Sequence, residues 1–316
     1  MGILSTLKKF LLPVFCLLTL ASQCPIFAQN LPESQPHKGE KRCYLRWSEI
    51  REVVTRYCVY KNFAATKLER NEKSPVLYFL HAFLLSEEQF FQSKYDKVLD
   101  QVSGPDNALT VVTVGGGPWS WYSDWKNQNS GKRAYETWFT QEFIPSVESE
   151  HQLCDQRKCR SIAGHSMGGW GALKTAFRFP ELFSKVAANS PGLAPFNIYE
   201  SKNRWKDYYK RWNANSTIWN SLLWQMKKVF STPVEFDQHD VSVLASNVSN
   251  SEKILPKIYF DVGANDDYGF QEGHLKLKKM LEEQNIEFKS YWDSDAKHWP
   301  TSTMQKALLQ FIINAE

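Results

Sequence analysis

Arg160-Ser161-Ile162-Ala163-Gly164-His165-Ser166-Met167-Gly168-Gly169-Trp170-Gly171-Ala172-Leu173 changes its periodicity in the middle. Residues from about Lys158 to Ala163 suit a β-strand, whereas Met167 to about Phe177 carries the small and straight-chain residues of a helix. Between them Gly164-His165-Ser166-Met167-Gly168 matches G-x-S-x-G, which in this context predicts a serine on a sharp strand-to-helix turn. Side chains at either glycine position would crowd such a turn, and the strained turn lifts the Ser166 hydroxyl into the open. The Met167 N–H would face the same point from a helix N-terminus, where partial positive charge stabilises an anionic oxygen.

On both sides of this turn strand and helix signals alternate, as in a mostly parallel sheet with flanking helices, an α/β fold. Val53 to Tyr60, Val76 to His81 and Leu109 to Val114 are β-branched and aromatic runs, the second continuous enough for a strand buried on both faces. Tyr135, Trp138, Phe139 and Phe143 lie at helical spacing. Further strands are expected at Lys185 to Asn189, Lys257 to Val262 and Ile286 to Trp292, and a helix at about Gln271 to Glu283. Pro300 suits the first turn of a closing helix, in which Met304, Ala307, Leu308, Phe311 and Ile312 form an apolar stripe. The stretch between Pro191 and Pro256 breaks the rhythm, is long for a connection and holds Trp205, Trp212, Trp219 and Trp224, so a helical cap is expected over about residues 192–255. The basic and aromatic mixture of Lys202 to Trp212 superficially suits a nucleic acid or a membrane surface. Trp205, Tyr208, Tyr209 and Trp212 share one helical face, however, which favours packing of the cap onto the body.

A serine hydroxyl becomes a useful nucleophile when a base takes its proton, and the base needs a carboxylate to hold its tautomer. This fold places the acid and then the base after the serine in the chain. Asp266 follows the strand Lys257 to Val262, and His298 follows the strand Ile286 to Trp292, each in a loop at a carboxyl end. Asp267 is an alternative acid, with Asp261 inside the strand a poorer one. His274 is expected on a helix surface and His239 in the cap. The second oxyanion donor is expected from the loop after Val76 to Leu80, as the N–H of Phe83, with His81 as a structural residue beneath it.

Together these residues resemble the esterase family of α/β-hydrolases that contains S-formylglutathione hydrolase (esterase D), tributyrin and feruloyl esterases, and the antigen 85-type mycolyltransferases. Val76-Leu77-Tyr78-Phe79-Leu80-His81 is similar to that family's oxyanion strand, and Trp119-Ser120-Trp121-Tyr122-Ser123-Asp124 to its Ser-Trp-Tyr-x-Asp segment. Tyr135-Glu136-Thr137 and Glu142-Phe143-Ile144-Pro145 resemble the helix that follows. The resemblance covers nearly all of the chain after its leader and implies an α/β-hydrolase fold, a triad on Ser166, Asp266 and His298, and candidate substrate contacts at Trp121, Tyr122 and Asp124. Two departures stand out. His81-Ala82 replaces the usual His-Gly, and Ala296-Lys297 precedes His298 where Gly-Gly is frequent. The expected activity is hydrolysis of a small-molecule, glycan or lipid ester through an acyl-enzyme. Acyl transfer to a sugar or lipid alcohol is the main alternative, and a non-catalytic binding protein on the same scaffold the other. No cofactor or metal is expected: no C-x-x-C or H-E-x-x-H occurs, and Gly115-Gly116-Gly117 lacks the Lys-Ser or Lys-Thr of a phosphate loop.

The start of the chain has the build of an export signal, with Lys8 and Lys9, the apolar run Phe10 to Ala21 and small residues up to Ala28. That run is shorter than the ~20 residues of a spanning helix. Residues 1–28 are therefore read as a cleaved signal, 29–42 as a flexible leader, and 43–316 as the hydrolase domain of an exported, periplasmic or secreted protein. Loss of the two lysines takes the formal charge from +4 to +2, which removes the case for a nucleic-acid-seeking surface. With 42% hydrophobic and 23% charged residues, the remainder has ample core for one globular domain. Of six cysteines, Cys16 and Cys24 leave with the signal. Export suggests two disulfides among Cys43, Cys58, Cys154 and Cys159, with the local pairs Cys43 to Cys58 and Cys154 to Cys159 favoured of three possible pairings.

Overall fold

The computed structural model describes residues 38–69, 71–125, 133–248 and 254–314. Its strands are β1 (Glu40–Ser48), β2 (Val53–Lys61), β3 (Val76–Leu80), β4 (Thr110–Val114), β5 (Arg160–His165), β6 (Lys185–Asn189), β7 (Lys257–Gly263) and β8 (Lys289–Asp293). They form one 8-stranded sheet in the order β1-β2-β4-β3-β5-β6-β7-β8. β2 runs antiparallel to β1 and β4, and all other pairs are parallel. This is the architecture of an α/β-hydrolase.

β3, β4 and β5 are buried along their whole length, as the unbroken apolar run of β3 requires. Val76, Tyr78 and Leu80 point into a core shared with the helices Ile144–His151 and Met167–Arg178. Leu77 and Phe79 point the other way, toward the helices Tyr95–Ser103 and Ser302–Ile313. The period of two therefore fills both sides of the sheet. β3 pairs with β4 on one side and β5 on the other. The strand order reverses there, and ligand sites of open α/β sheets form at such a point.

Four helices, Lys202–Trp212, Ser216–Val229, Pro233–Asp237 and Val241–Val248, occupy the expected cap. Trp205, Tyr208 and Trp219 are buried in the core on that side, so the aromatic face of Lys202–Trp212 packs inward, while Trp224 is exposed. Among the described residues no helix is long and apolar enough to cross a membrane.

Four local expectations change. The first strand begins at Glu40 and takes in the last residues of the expected leader; its exposed and half-buried residues give no apolar run to betray it. Signal residues 1–28 and most of the leader lie outside the described residues. The strand expected at Ile286 begins at Lys289, because the chain first reverses at Asn285 (φ 53°) and the Ile286 N–H bonds back to the Leu281 carbonyl at 2.9 Å. Pro300 precedes the closing helix, whose N-cap is Thr301 accepting the Met304 N–H. His274 is buried, not on the surface, with its ring against Phe260 and Trp292.

Both favoured disulfides form. Cys43 and Cys58 stand directly opposite each other in the β1–β2 register, with Cα atoms 4.0 Å apart.

Candidate active site

Ser166 follows β5 directly with φ 55° and ψ −117°, outside the ordinary regions for a residue with a side chain. The turn is tight because two backbones touch. A β-carbon on Gly164 would collide with the Gly168 carbonyl, and one on Gly168 with the carbonyls of Leu80 and His81. The serine is held on both sides: its N–H donates to the Asn189 carbonyl at 3.0 Å, and its own carbonyl accepts from Gly192 and Trp170, each at 2.9 Å.

The structure brings Ser166, His298 and Asp266 together from the ends of β5, β8 and β7. His298 Nε2 lies 2.9 Å from Ser166 Oγ, and His298 Nδ1 lies 2.9 Å from Asp266 Oδ2. A carboxylate can only accept, so it takes the Nδ1–H and leaves the Nε2 lone pair for the serine hydroxyl. The second Asp266 oxygen accepts the Tyr268 N–H at 2.8 Å. All three side chains are buried. Asp267 instead faces Lys297 at 3.8 Å, half-exposed. Tyr268 and Phe270 pack their rings against the imidazole.

The expected oxyanion donors are the backbone N–H groups of Met167 and Phe83. Met167 opens the helix Met167–Arg178, where the first N–H groups have no intrahelical acceptor. Among the described residues the Phe83 N–H takes no acceptor, while its neighbours Leu84 and Leu85 donate to Pro118 and Ala82. The Ala82 carbonyl accepts from Leu85 N–H at 3.1 Å and His81 Nδ1 at 2.9 Å. Because C=O and N–H of one trans peptide point in opposite directions, these bonds aim the Phe83 N–H the other way. His81 is thus a buried structural residue, and burial lowers its pKa. Ala82 needs no positive φ in place of glycine; the left-handed residue of this loop is Leu84 at 61°.

The three substrate-contact candidates part company. Tyr122 is buried and donates its hydroxyl to the His81 carbonyl. Asp124 accepts the N–H groups of Glu136 and Thr137 and so caps the helix that begins there. Both therefore have structural roles. Trp121 remains beside the site, its ring close to Gly192 and edge-on to Trp170.

Two buried ionisable groups lie beside the site, of which only Asp261 was weighed in the sequence. Lys174, on the helix after Ser166, donates to the Tyr122 carbonyl and the Ser123 hydroxyl beneath the Trp121–Tyr122 turn, and burial pushes it down to about 8. Asp261, dismissed as an acid for lying inside β7, accepts from Ser190 N–H and Tyr259 OH, each at 3.0 Å, and from the Asn189 amide. Burial pushes its carboxyl up to about 7. A lysine among small helix residues was the one sequence signal for such a group.

Comparison with known proteins agrees with this frame. The family model described as "Putative esterase" matches residues 59–298, and the chain belongs to that family. An esterase of Mycobacterium tuberculosis is 29% identical over 116 residues, which are 37% of this chain and 25% of that protein. The chain thus spans about a quarter of the length of the curated relatives it matches. A fluorophosphonate-binding serine hydrolase of Staphylococcus aureus superposes with a TM-score of 0.68 at 17% identity, over 88% of this chain and 99% of that one. An S-formylglutathione hydrolase of Agrobacterium tumefaciens does so at 0.65 and 17%, over 87% and 93%. A ferulic acid esterase of Anaeromyces mucronatus, solved with ferulic acid, gives 0.60 and 15%, over 94% and 99%. At these identities the likeness shows the fold.

Proposed function

We propose that this protein is an exported serine esterase that hydrolyses carboxylic esters through an acyl-enzyme on Ser166. The observation that carries the reading is the hydrogen-bonded series Ser166–His298–Asp266 at the carboxyl ends of three strands. His298 Nε2 takes the Ser166 proton as Oγ attacks the ester carbonyl, and Asp266 supports the imidazolium. The N–H groups of Phe83 and Met167 stabilise the oxyanion, an effect worth ~3 kcal/mol per donor in such sites. The imidazolium then protonates the leaving alcohol, and water activated by the same nitrogen releases the acid.

Because Nε2 hands the proton to the alcohol, that group leaves on the His298 side. A cleft of about 530 Å³ opens there, lined by Asn213, Asn215, Ser216, Asp267, Tyr268 and Trp299. Its polar rim and the exposed Trp299 ring suit an alcohol with both hydroxyls and an apolar face. Export is supported by the two disulfides, which persist in oxidising compartments.

The test is a panel of short acyl, feruloyl and acetylated-sugar esters assayed with the native protein and with Ser166→Ala, alongside labelling by a fluorophosphonate. Hydrolysis and labelling are expected from the native protein only. Equal hydrolysis by both proteins would overturn the assignment.

A further inference from the structure

We propose that Gln89 and His165 form a positioning relay that locks the oxyanion loop to the loop carrying the base. The inference rests on the esterase reading above. Both side chains are buried, Gln89 in the short helix Gln89–Gln92 and His165 at the end of β5. Ala82 N–H donates to Gln89 Oε1 at 2.6 Å. Gln89 Nε2 lies 2.8 Å from His165 Nδ1, and His165 Nε2 lies 3.1 Å from the His298 carbonyl.

One proton arrangement satisfies every group in this series. The His298 carbonyl can only accept, so His165 must carry its proton on Nε2. A neutral imidazole then presents a lone pair at Nδ1, which demands the NH₂ end of Gln89. The amide oxygen is left for Ala82, whose N–H can only donate. Every bond points the same way, and no buried polar atom of the series is orphaned. Burial, reinforced by the neighbouring His298, pushes His165 well below the usual histidine range and so favours this neutral form. The rings of His298 and Trp299, each centred 5.0 Å away, close off the imidazole.

The series joins three parts that must keep register to within a fraction of an ångström. Ala82 precedes the donor Phe83, His165 precedes the nucleophile Ser166, and the His298 carbonyl belongs to the base itself. His81 and Leu85 hold the carbonyl side of Ala82, and Gln89 holds its N–H side. Neither Gln89 nor His165 touches substrate; they act by placing the groups that do.

Gln89→Leu would leave the Ala82 N–H and His165 Nδ1 unpaired. Misplacement of a reacting group by about 1 Å costs on the order of 100-fold in rate. The expected result is a kcat lower by roughly 10- to 100-fold per fluorophosphonate-titratable Ser166, with KM within about 3-fold of the native value, since only transition-state contacts are loosened. Gln89→Glu keeps the acceptor for Ala82 but removes the donor to His165. Nitrogen-15 imidazole NMR should show His165 as the neutral Nε2–H tautomer in the native protein and protonated on Nδ1 in Gln89→Glu, a signature that a merely space-filling glutamine would not give. The native measurement stands even if a variant fails to fold. An Nδ1–H tautomer in the native protein, or native kcat per titrated site in Gln89→Leu, would overturn the relay. Either result with Ser166→Ala inactive leaves the esterase reading intact, whereas an active Ser166→Ala removes that reading first.

Discussion

Asp261 offers a test in which the sign can be worked from the structure. It has no exposed surface, and burial outweighs its three hydrogen bonds to hold the carboxyl up at about 7. The folded protein therefore binds this proton more tightly than the unfolded chain, so its stability contribution is lost as pH rises from the ordinary carboxyl range through about 7. Between about pH 5 and about pH 8 the loss is about 2.5 kcal/mol, or roughly 5–10 °C in Tm for a domain of this size. The buried histidines act in the opposite sense. His274, pushed down to about 4 by burial, gives the folded protein about 2 kcal/mol as pH rises through about 6.5. The native Tm is therefore a balance of opposing contributions, and the measurement has to be a difference. Asp261→Asn keeps an acceptor for Ser190 N–H but sets an NH₂ against the Asn189 amide, a pH-independent cost of ~1–3 kcal/mol. Thermal unfolding of both proteins, followed by circular dichroism across that range, should show the native advantage shrinking by about 2.5 kcal/mol toward alkaline pH. The variant alone should gain stability as its histidines lose their protons. A gap that stays constant with pH would refute the reasoning, because Asp261 would then carry the same charge folded and unfolded.

Asp266→Asn should fold normally but lose about four orders of magnitude in kcat, since the amide can hold the wrong imidazole tautomer; Asp267→Asn, half-exposed and turned to Lys297, should stay within about 2-fold, and ester assays at neutral pH distinguish the two. Gly168→Ala drives a β-carbon into the Leu80 and His81 carbonyls, and should cost ~1–3 kcal/mol in denaturant unfolding together with at least ~100-fold in turnover. Replacing Cys43 and Cys58 by serine opens a loop with a sequence separation of 15 and should lower stability by ~3 kcal/mol in denaturant unfolding, while reductant, which also opens Cys154–Cys159, should lower that of the native protein further.

The parts that were legible in the sequence share a cause. β3, β4 and β5 are buried on both faces, so their composition is constrained at every position, and the glycines at 164 and 168 are dictated by backbone contact. Asp266 and His298 could be placed because the fold sets their order and the loop after each strand is short. β1 stayed hidden because an edge strand with one covered face carries charges such as Lys41 and Arg42 that read as leader. Gln89 and His274 were missed for another reason. A buried polar side chain is specified by its partners, and those that decide these two, His165 for the one and Phe260 for the other, are distant in sequence. Tyr122 and Asp124 resembled substrate contacts because motif likeness does not distinguish a residue that touches a ligand from one that builds the wall behind it.

Strain and buried charge occur together at this end of the sheet. Ser166 sits at φ 55°, Ser190 at 39°, Trp121 at 49° and Tyr122 at 45°, and each such backbone costs ~1–3 kcal/mol. Asp261 holds the Ser190 N–H, and the Asn189 carbonyl beside it holds Ser166. Lys174 holds the Tyr122 carbonyl, after the turn that places Trp121. Each of these charges is itself unfavourably buried, as its shifted pKa records, so neither is there to raise net stability. Their retention is explained if they fix backbone that would otherwise relax. An apolar replacement of similar volume would release the strained turn and take away the partner now held by Ser190 N–H and the Asn189 amide in one case and by Glu136 in the other. Turnover, which depends on the placement of Ser166 and its neighbours, should therefore fall together with stability.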